Sequence, residues 1–175
     1  RTKYMEQFIY KTRPDGLSVL NLQKIDERIK IAAGFLAQYN PSDILVIGRR
    51  ENGWKALELF EKLTDARVFA GRYPPGVLTN PNLEGYTEAK IVLVVDAWPD
   101  RNAILDAVKV GIPVIALCDT NNQSNFIDLV VPCNNKGKKS LGLVFYILTK
   151  ELLRLKGKLK EGEELKENIE DFTEE

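Results

Sequence analysis

The chain has 175 residues, 44% hydrophobic and 29% charged, with 25 basic and 25 acidic side chains and a formal net charge of zero. These values suit one globular domain with a real core, and no apolar run approaches the roughly 20 residues that a membrane-spanning helix needs. Histidine is absent, which removes Ser–His and Cys–His nucleophile pairs together with the commonest general base.

The opening Arg1-Thr2-Lys3 lacks the apolar core of a signal peptide. It also lacks an initiator methionine, so the chain is expected to start inside a longer protein. Residues 1–15 form a basic-aromatic arm, with Tyr4, Phe8 and Tyr10 among Arg1, Lys3, Lys11 and Arg13. Such a segment can stack on RNA or pack on its own domain. Arg13-Pro14-Asp15-Gly16 is a turn signal, followed by a short strand at Leu17, Val19 and Leu20. Asn21 is placed to cap a helix whose apolar face is Leu22, Ile25, Ile29, Ala32, Ala33 and Leu36, and Asn40-Pro41 ends it.

Ile44 to Ile47 reads as a strand that closes at Gly48, with Arg49 and Arg50 at its carboxyl end. A helix from about Glu51 to Leu63 is expected to bury Trp54, Leu57 and Phe60, and Arg67 to Ala70 forms the next strand. The stretch GRYPPGVLTNPNLEGY allows neither helix nor sheet and must be held by specific contacts or be mobile. Ile91 to Val95 is a continuous β-branched run, the pattern of a strand buried on both faces. Ala103, Ile104, Ala107 and Val108 repeat at helical spacing up to Gly111, a C-terminal cap. Pro113 precedes a second buried run, Val114 to Cys118. A final strand, Phe126 to Val131, leads to a helix over about Ser140 to Lys156, apolar along Leu143, Val144, Ile147, Leu148 and Leu152. Strands alternating with helices predict an α/β fold, a doubly wound and mainly parallel sheet flanked by helices in three layers. The single domain spans 16–157, and the charged tail at 158–175 is expected to lack fixed structure.

The neutral total hides segregation. Residues 136–160 hold eight basic side chains against one acidic, and 161–175 hold eight acidic against one basic. In an open parallel sheet, ligands meet the loops beyond the carboxyl ends of the strands. There the chain places Arg49, Arg50, Arg72 and the loop Asn134-Asn135-Lys136-Gly137-Lys138-Lys139 before a helix. That loop suits a phosphate, either of a small molecule or of a nucleic-acid backbone. The fingerprints G-x-x-x-x-G-K-[ST] and G-x-G-x-x-G are both missing. Asp96 and Asp119 end adjacent strands; they either form a magnesium or acid–base pair or serve as a cap and a turn. Cys118 and Cys133 without histidine make a poor zinc site, and no metal or cofactor is expected. Trp54 and Trp98 fill the core or a loop hinge.

Three stretches, RPDGLSVLNLQKIDERI, GRYPPGVLTNPN and VVDAWPDRNAILDAVKVGIPVIALCDTNN continuing to IDLVVPCNNKGKKSLGLVFYIL, strongly resemble the S-two family of small-ribosomal-subunit proteins. Eukaryotic members of that family are called laminin-receptor precursors. The resemblance runs in register over about 1–155 and implies a flavodoxin-like domain. It further implies a non-enzymatic, cytoplasmic ribosomal component that binds small-subunit RNA and neighbouring ribosomal proteins during translation. Bacterial members carry a helical hairpin after the LTN loop; Asn82 to Lys90 leaves no room for it, as in the archaeal branch. The family's histidine- and glycine-containing segment before the first basic stretch is missing. The candidate RNA-binding residues are Lys11, Arg13, Arg49, Arg50, Arg72, Thr79, Asn80, Asn134, Asn135, Lys136, Lys138 and Lys139. The contrasting reading is a phosphometabolite-binding enzyme or sensor on the same fold, using the crevice near Asp96 and Asp119.

Overall fold

The computed structural model describes residues 2–160 and 162–173. Arg1 of the arm and tail positions 161, 174 and 175 lie outside the described residues. Strands β1 (Ile9–Thr12) and β2 (Ser18–Leu20) form an antiparallel hairpin. The hairpin turns at Arg13–Gly16, where the Gly16 amide donates to the Arg13 carbonyl. Helix α1 (Leu22–Leu36) then starts at Asn21, whose side chain accepts from the Gln23 and Lys24 amides and so caps it as the sequence predicts.

The main sheet is built from β3 (Ile44–Gly48), β4 (Arg67–Ala70), β5 (Ile91–Val94), β6 (Val114–Cys118) and β7 (Leu129–Pro132). All its pairings are parallel and the spatial order is β4-β3-β5-β6-β7. Counted within this sheet alone, that is the flavodoxin-like order 2-1-3-4-5, whose strand order reverses between β3 and β5.

Side-chain alternation sorts the strands onto two cores. Ile44, Val46, Ile91, Leu93, Ile115, Leu117, Leu129 and Val131 face one side. There they meet α1, α2 (Trp54–Thr64) and α4 (Lys138–Leu155). Leu45, Ile47, Val92, Val94, Val114, Ala116 and Val130 face the other side, which carries only α3 (Arg101–Val110). The crossover from β4 to β5 has no helix, and Tyr73, Val77 and Leu78 cover that half of the sheet with Met5 and Phe8 from the amino-terminal segment. Gly111 closes α3 in the left-handed region at φ 74°, where glycine carries no steric cost.

Several expectations shift. Trp54 is 38% exposed instead of buried, because it begins α2 at the sheet edge, where its indole N–H donates to the Gly48 carbonyl at 3.2 Å. Leu143 and Val108 are exposed, and the buried stripe of α4 is Leu141, Val144, Phe145, Leu148 and Leu152. Leu22 is exposed at the first turn of α1, ahead of the part that reaches the sheet. The last strand begins at Leu129, not at Phe126, whose backbone turns through φ 65°.

The acidic tail departs most from its reading. Glu170–Phe172 forms a 3-10 turn, and Phe172 is 1% exposed, edge-on to Tyr146 at 5.7 Å. Gly142 makes this seat possible. A Cβ there would collide with Thr173 Cγ2 and lie 3.2 Å from the Phe172 carbonyl oxygen. Phe172→Ala should therefore destabilise the fold by about 3 kcal/mol in guanidinium unfolding. A change near zero would mean that the tail does not belong to the core.

Candidate functional site

Because every strand of the main sheet is parallel, all carboxyl ends lie along one edge. The crevice between β3 and β5 is where a flavodoxin-like sheet receives its ligand. In this chain it is filled by the protein itself. The Arg50 guanidinium reaches from the end of β3 to Asp96 at the end of β5, with Nε and Nη2 each 2.7 Å from Asp96 Oδ2. The Asp96 side chain is 2% exposed and that of Arg50 35%. Asp96 Oδ1 accepts from the Trp98 amide and from Asn122 Nδ2, both at 3.0 Å. Both carboxylate oxygens are thus engaged.

A second carboxylate ties the same two strand ends through their backbones. Asp100 Oδ1 accepts from the Arg49 amide and Oδ2 from the Asp96 amide, each at 3.1 Å. Burial pushes the Asp100 carboxyl up to about 7; the two amide hydrogen bonds oppose this, the Asp96 charge adds to it, and Arg50 opposes it. The network continues under the next strand ends. Asn135, fully buried, donates to the Leu117 carbonyl at 3.1 Å and to Asn122 Oδ1 at 2.9 Å. Asn122 Oδ1 also accepts from the Asp119 amide at 2.7 Å, and Asp119 Oδ1 accepts from the Thr120 amide. Asp119 therefore turns the chain, as one of the two readings has it, whereas Asp96 anchors the strand end instead of capping α3, whose N-cap is Asp100. No cluster of three metal-ligating side chains occurs among the described residues. Burial, then the charges of Asp96 and Asp119, push the Cys118 thiol up to about 12, which makes it a poor nucleophile.

The predicted basic residues divide into groups. Lys11 and Arg13 are exposed on the hairpin, Arg13 in a surface pair with Asp15 at 3.4 Å. Arg49 is exposed beside the partly buried Arg50. Asn134 Oδ1 accepts from the Lys136 and Gly137 amides and shapes the turn into α4, leaving Lys136 and Lys139 exposed and Lys138 half-buried. Asn52, which the sequence reading passed over, joins the two groups by donating to the Lys136 carbonyl at 2.7 Å. Asn135 faces inward and holds this loop to the sheet instead of presenting itself to a partner. Between the hairpin and the ends of β6 and β7 runs a groove of about 930 Å³, lined in part by Thr12, Leu17, Asp119, Asn121, Asn134 and Lys136.

Arg72, Thr79 and Asn80 belong to a separate loop, with Arg72 and Asn80 exposed and Thr79 half-buried. The organiser of this loop is Asp106, on the buried face of α3. Its Oδ2 accepts from the Tyr73 hydroxyl and the Gly76 amide, both at 2.8 Å, and the Tyr73 oxygen accepts from the Leu78 amide. Burial and the Asp106 contact raise the Tyr73 hydroxyl well above its ordinary value. The signal in the sequence was an acid three residues after Ala103, on the stripe that buries Ala103 and Ala107. At the other end, the Thr2 amide donates to the Thr120 carbonyl and the Thr2 hydroxyl to the Asn122 carbonyl. The amino-terminal arm is thereby pinned onto its own domain.

Two outcomes test this network. Arg50→Met should cost about 3 kcal/mol in guanidinium unfolding, since Asp96 would stay buried without its counter-charge; a neutral result would mean the pair contributes nothing. Asp100 is raised from an ordinary value of 3.8 to about 7, so the folded chain holds a proton there that the unfolded chain has already released. Its contribution to stability is accordingly greatest below about pH 4 and declines as pH rises to about 7. Urea unfolding of wild type and Asp100→Asn across that range should show the decline only in the wild type.

Comparison with known proteins places the chain. The model of the family described as "Ribosomal protein S2" matches residues 82–154. "Small ribosomal subunit protein uS2" of Nanoarchaeum equitans (strain Kin4-M) is 45% identical over 171 residues, covering 98% of this chain and 85% of the relative. The protein of the same name from Pyrobaculum neutrophilum is 48% identical over 172 residues, covering 97% and 84%. That of Picrophilus torridus is 41% identical over 172 residues, covering 98% and 86%. Similarity of this level across nearly the whole length of both chains is shared ancestry: the chain belongs to the ribosomal protein S2 family.

Proposed function

We propose that this chain is a structural constituent of the small ribosomal subunit, binding its RNA and neighbouring ribosomal proteins along the strand-end edge. The observation that carries this reading is the occupied crevice. In a fold that usually receives a small ligand between β3 and β5, Arg50 and Asp96 fill the space, and the exposed cations lie outside it, on Lys11, Arg13, Arg49, Lys136 and Lys139. Phosphates of an RNA backbone suit such cations, which position a strand without reading its sequence. The relatives' shared name supports the same assignment, and with it a cytoplasmic, non-enzymatic role. Among the described residues no helix is long and apolar enough to cross a membrane.

The metabolite-binding alternative needs a free carboxylate or a phosphate loop in the crevice. Asp96 has no oxygen left over, and Asp100 already accepts two amides. Asn134 and Lys138 are assigned to the binding edge with the cations above, Arg72, Thr79 and Asn80 to a second contact on their own loop, and Asn135 acts from below by fixing the turn into α4.

The test is co-sedimentation with small subunits across a salt series. Wild type should be released as salt rises. Replacing Lys136 and Lys139 with alanine should weaken association and flatten the dependence of log K on log salt by about 0.7–0.9 for each phosphate no longer neutralised. Both lysines lie in an exposed loop, so thermal unfolding should not change. Unaltered occupancy at every salt would remove these lysines from the interface.

A further inference from the structure

We propose that a cleft between α3 and the loop at 119–128 receives an unstacked base of single-stranded RNA. This rests on the RNA-binding reading above and gives that surface a site for a base beside its sites for phosphate. The cleft encloses about 490 Å³, and its walls include Trp98, Arg101, Phe126, Asn121, Gln123 and Asn125.

The two aromatic rings are the first argument. Trp98 is 72% exposed and Phe126 61% exposed, so neither serves the core. Phe126 stands at φ 65°, a backbone region that bulky residues seldom adopt and that collects at ligand clamps. The Arg101 guanidinium sits over the Trp98 ring at 5.2 Å, which makes a flat, electron-rich and cationic platform of the kind on which bases stack.

The polar lining is the second. Asn121, Gln123 and Asn125 are exposed, and their carboxamides make no hydrogen bond among the described residues. Each offers a donor beside an acceptor, the pattern that pairs with the edge of a base. Charge is the third argument. No carboxylate lines the cleft, and its charged member is Arg101, so a polyanion meets no repulsion there. Finally, Asn121 lines both this cleft and the larger groove that contains Lys136. One strand can therefore place a base in the cleft while its phosphates meet the basic loop.

The experiment measures binding of the full chain to oligoadenylate of about ten nucleotides over a salt series, beside sedimentation with small subunits. Trp98→Ala and Phe126→Ala should each weaken oligoadenylate binding by about 5- to 100-fold, leaving the salt slope unchanged because every phosphate keeps its cation. Trp98→Phe should recover most of the affinity, since a ring is retained. Trp98 is a surface residue, so circular dichroism of its variants should match wild type.

Affinities of both alanine variants within about twofold of wild type would overturn the cleft while leaving the lysine-dependent interface intact. Failure of subunit association with unchanged oligoadenylate affinity would assign the cleft to a protein partner and overturn it too. So would a wild-type chain that sediments with subunits yet does not bind the oligonucleotide. A wild type that does neither fails the broader RNA-binding reading itself.

Discussion

The ion pair between Arg50 and Asp96 decides what this sheet can do. A parallel sheet whose order reverses between two strands leaves a gap at that point, and other chains of this architecture leave it open for a ligand. Here a guanidinium and a carboxylate, each from one side of the gap, close it through two nitrogen–oxygen distances of 2.7 Å. Such a pair offsets its own desolvation only when the remaining lone pairs are satisfied, and the Trp98 amide and Asn122 provide for that. Asn122 is in turn held by Asn135, and Asp100 fastens the backbones on either side. The result is a rigid floor under loops that carry the exposed charge.

This arrangement separates support from recognition. Buried polar groups hold the strand ends in place, while the lysines and arginines that could meet a partner lie above them. Among the residues predicted to bind, Asn135 falls on the supporting side, and Arg50 largely does. Asp106 repeats the division on the other face of the sheet, where one carboxylate fixes a proline-rich loop with no secondary structure of its own.

What could be read from the chain followed from local rules. The apolar runs at Ile91 and Val114, the cap at Asn21 and the stop at Gly111 each depend on nearest neighbours, and all four occur as expected. The basic loop before α4 was legible for the same reason. Asp100, Asn122 and Asp106 were not, because their roles depend on amides and hydroxyls as much as 51 positions away, brought near by the crossovers. Trp54 was misread because helical periodicity gives a face but not the point where the helix emerges from the sheet. Leu143 shows the same limit in phase, one position from the stripe that α4 buries.

Phe172 has a bearing on how the chain is made. Its ring completes the core between α2 and α4, yet among the described residues it follows every strand and every α-helix in the order of synthesis. During translation the sheet and its helices can assemble while that corner of the core is still exposed to water. The apolar seat beside Gly142 closes only after the acidic tail has left the exit tunnel. Until then the nascent domain shows a hydrophobic spot that the Glu170–Phe172 segment later covers.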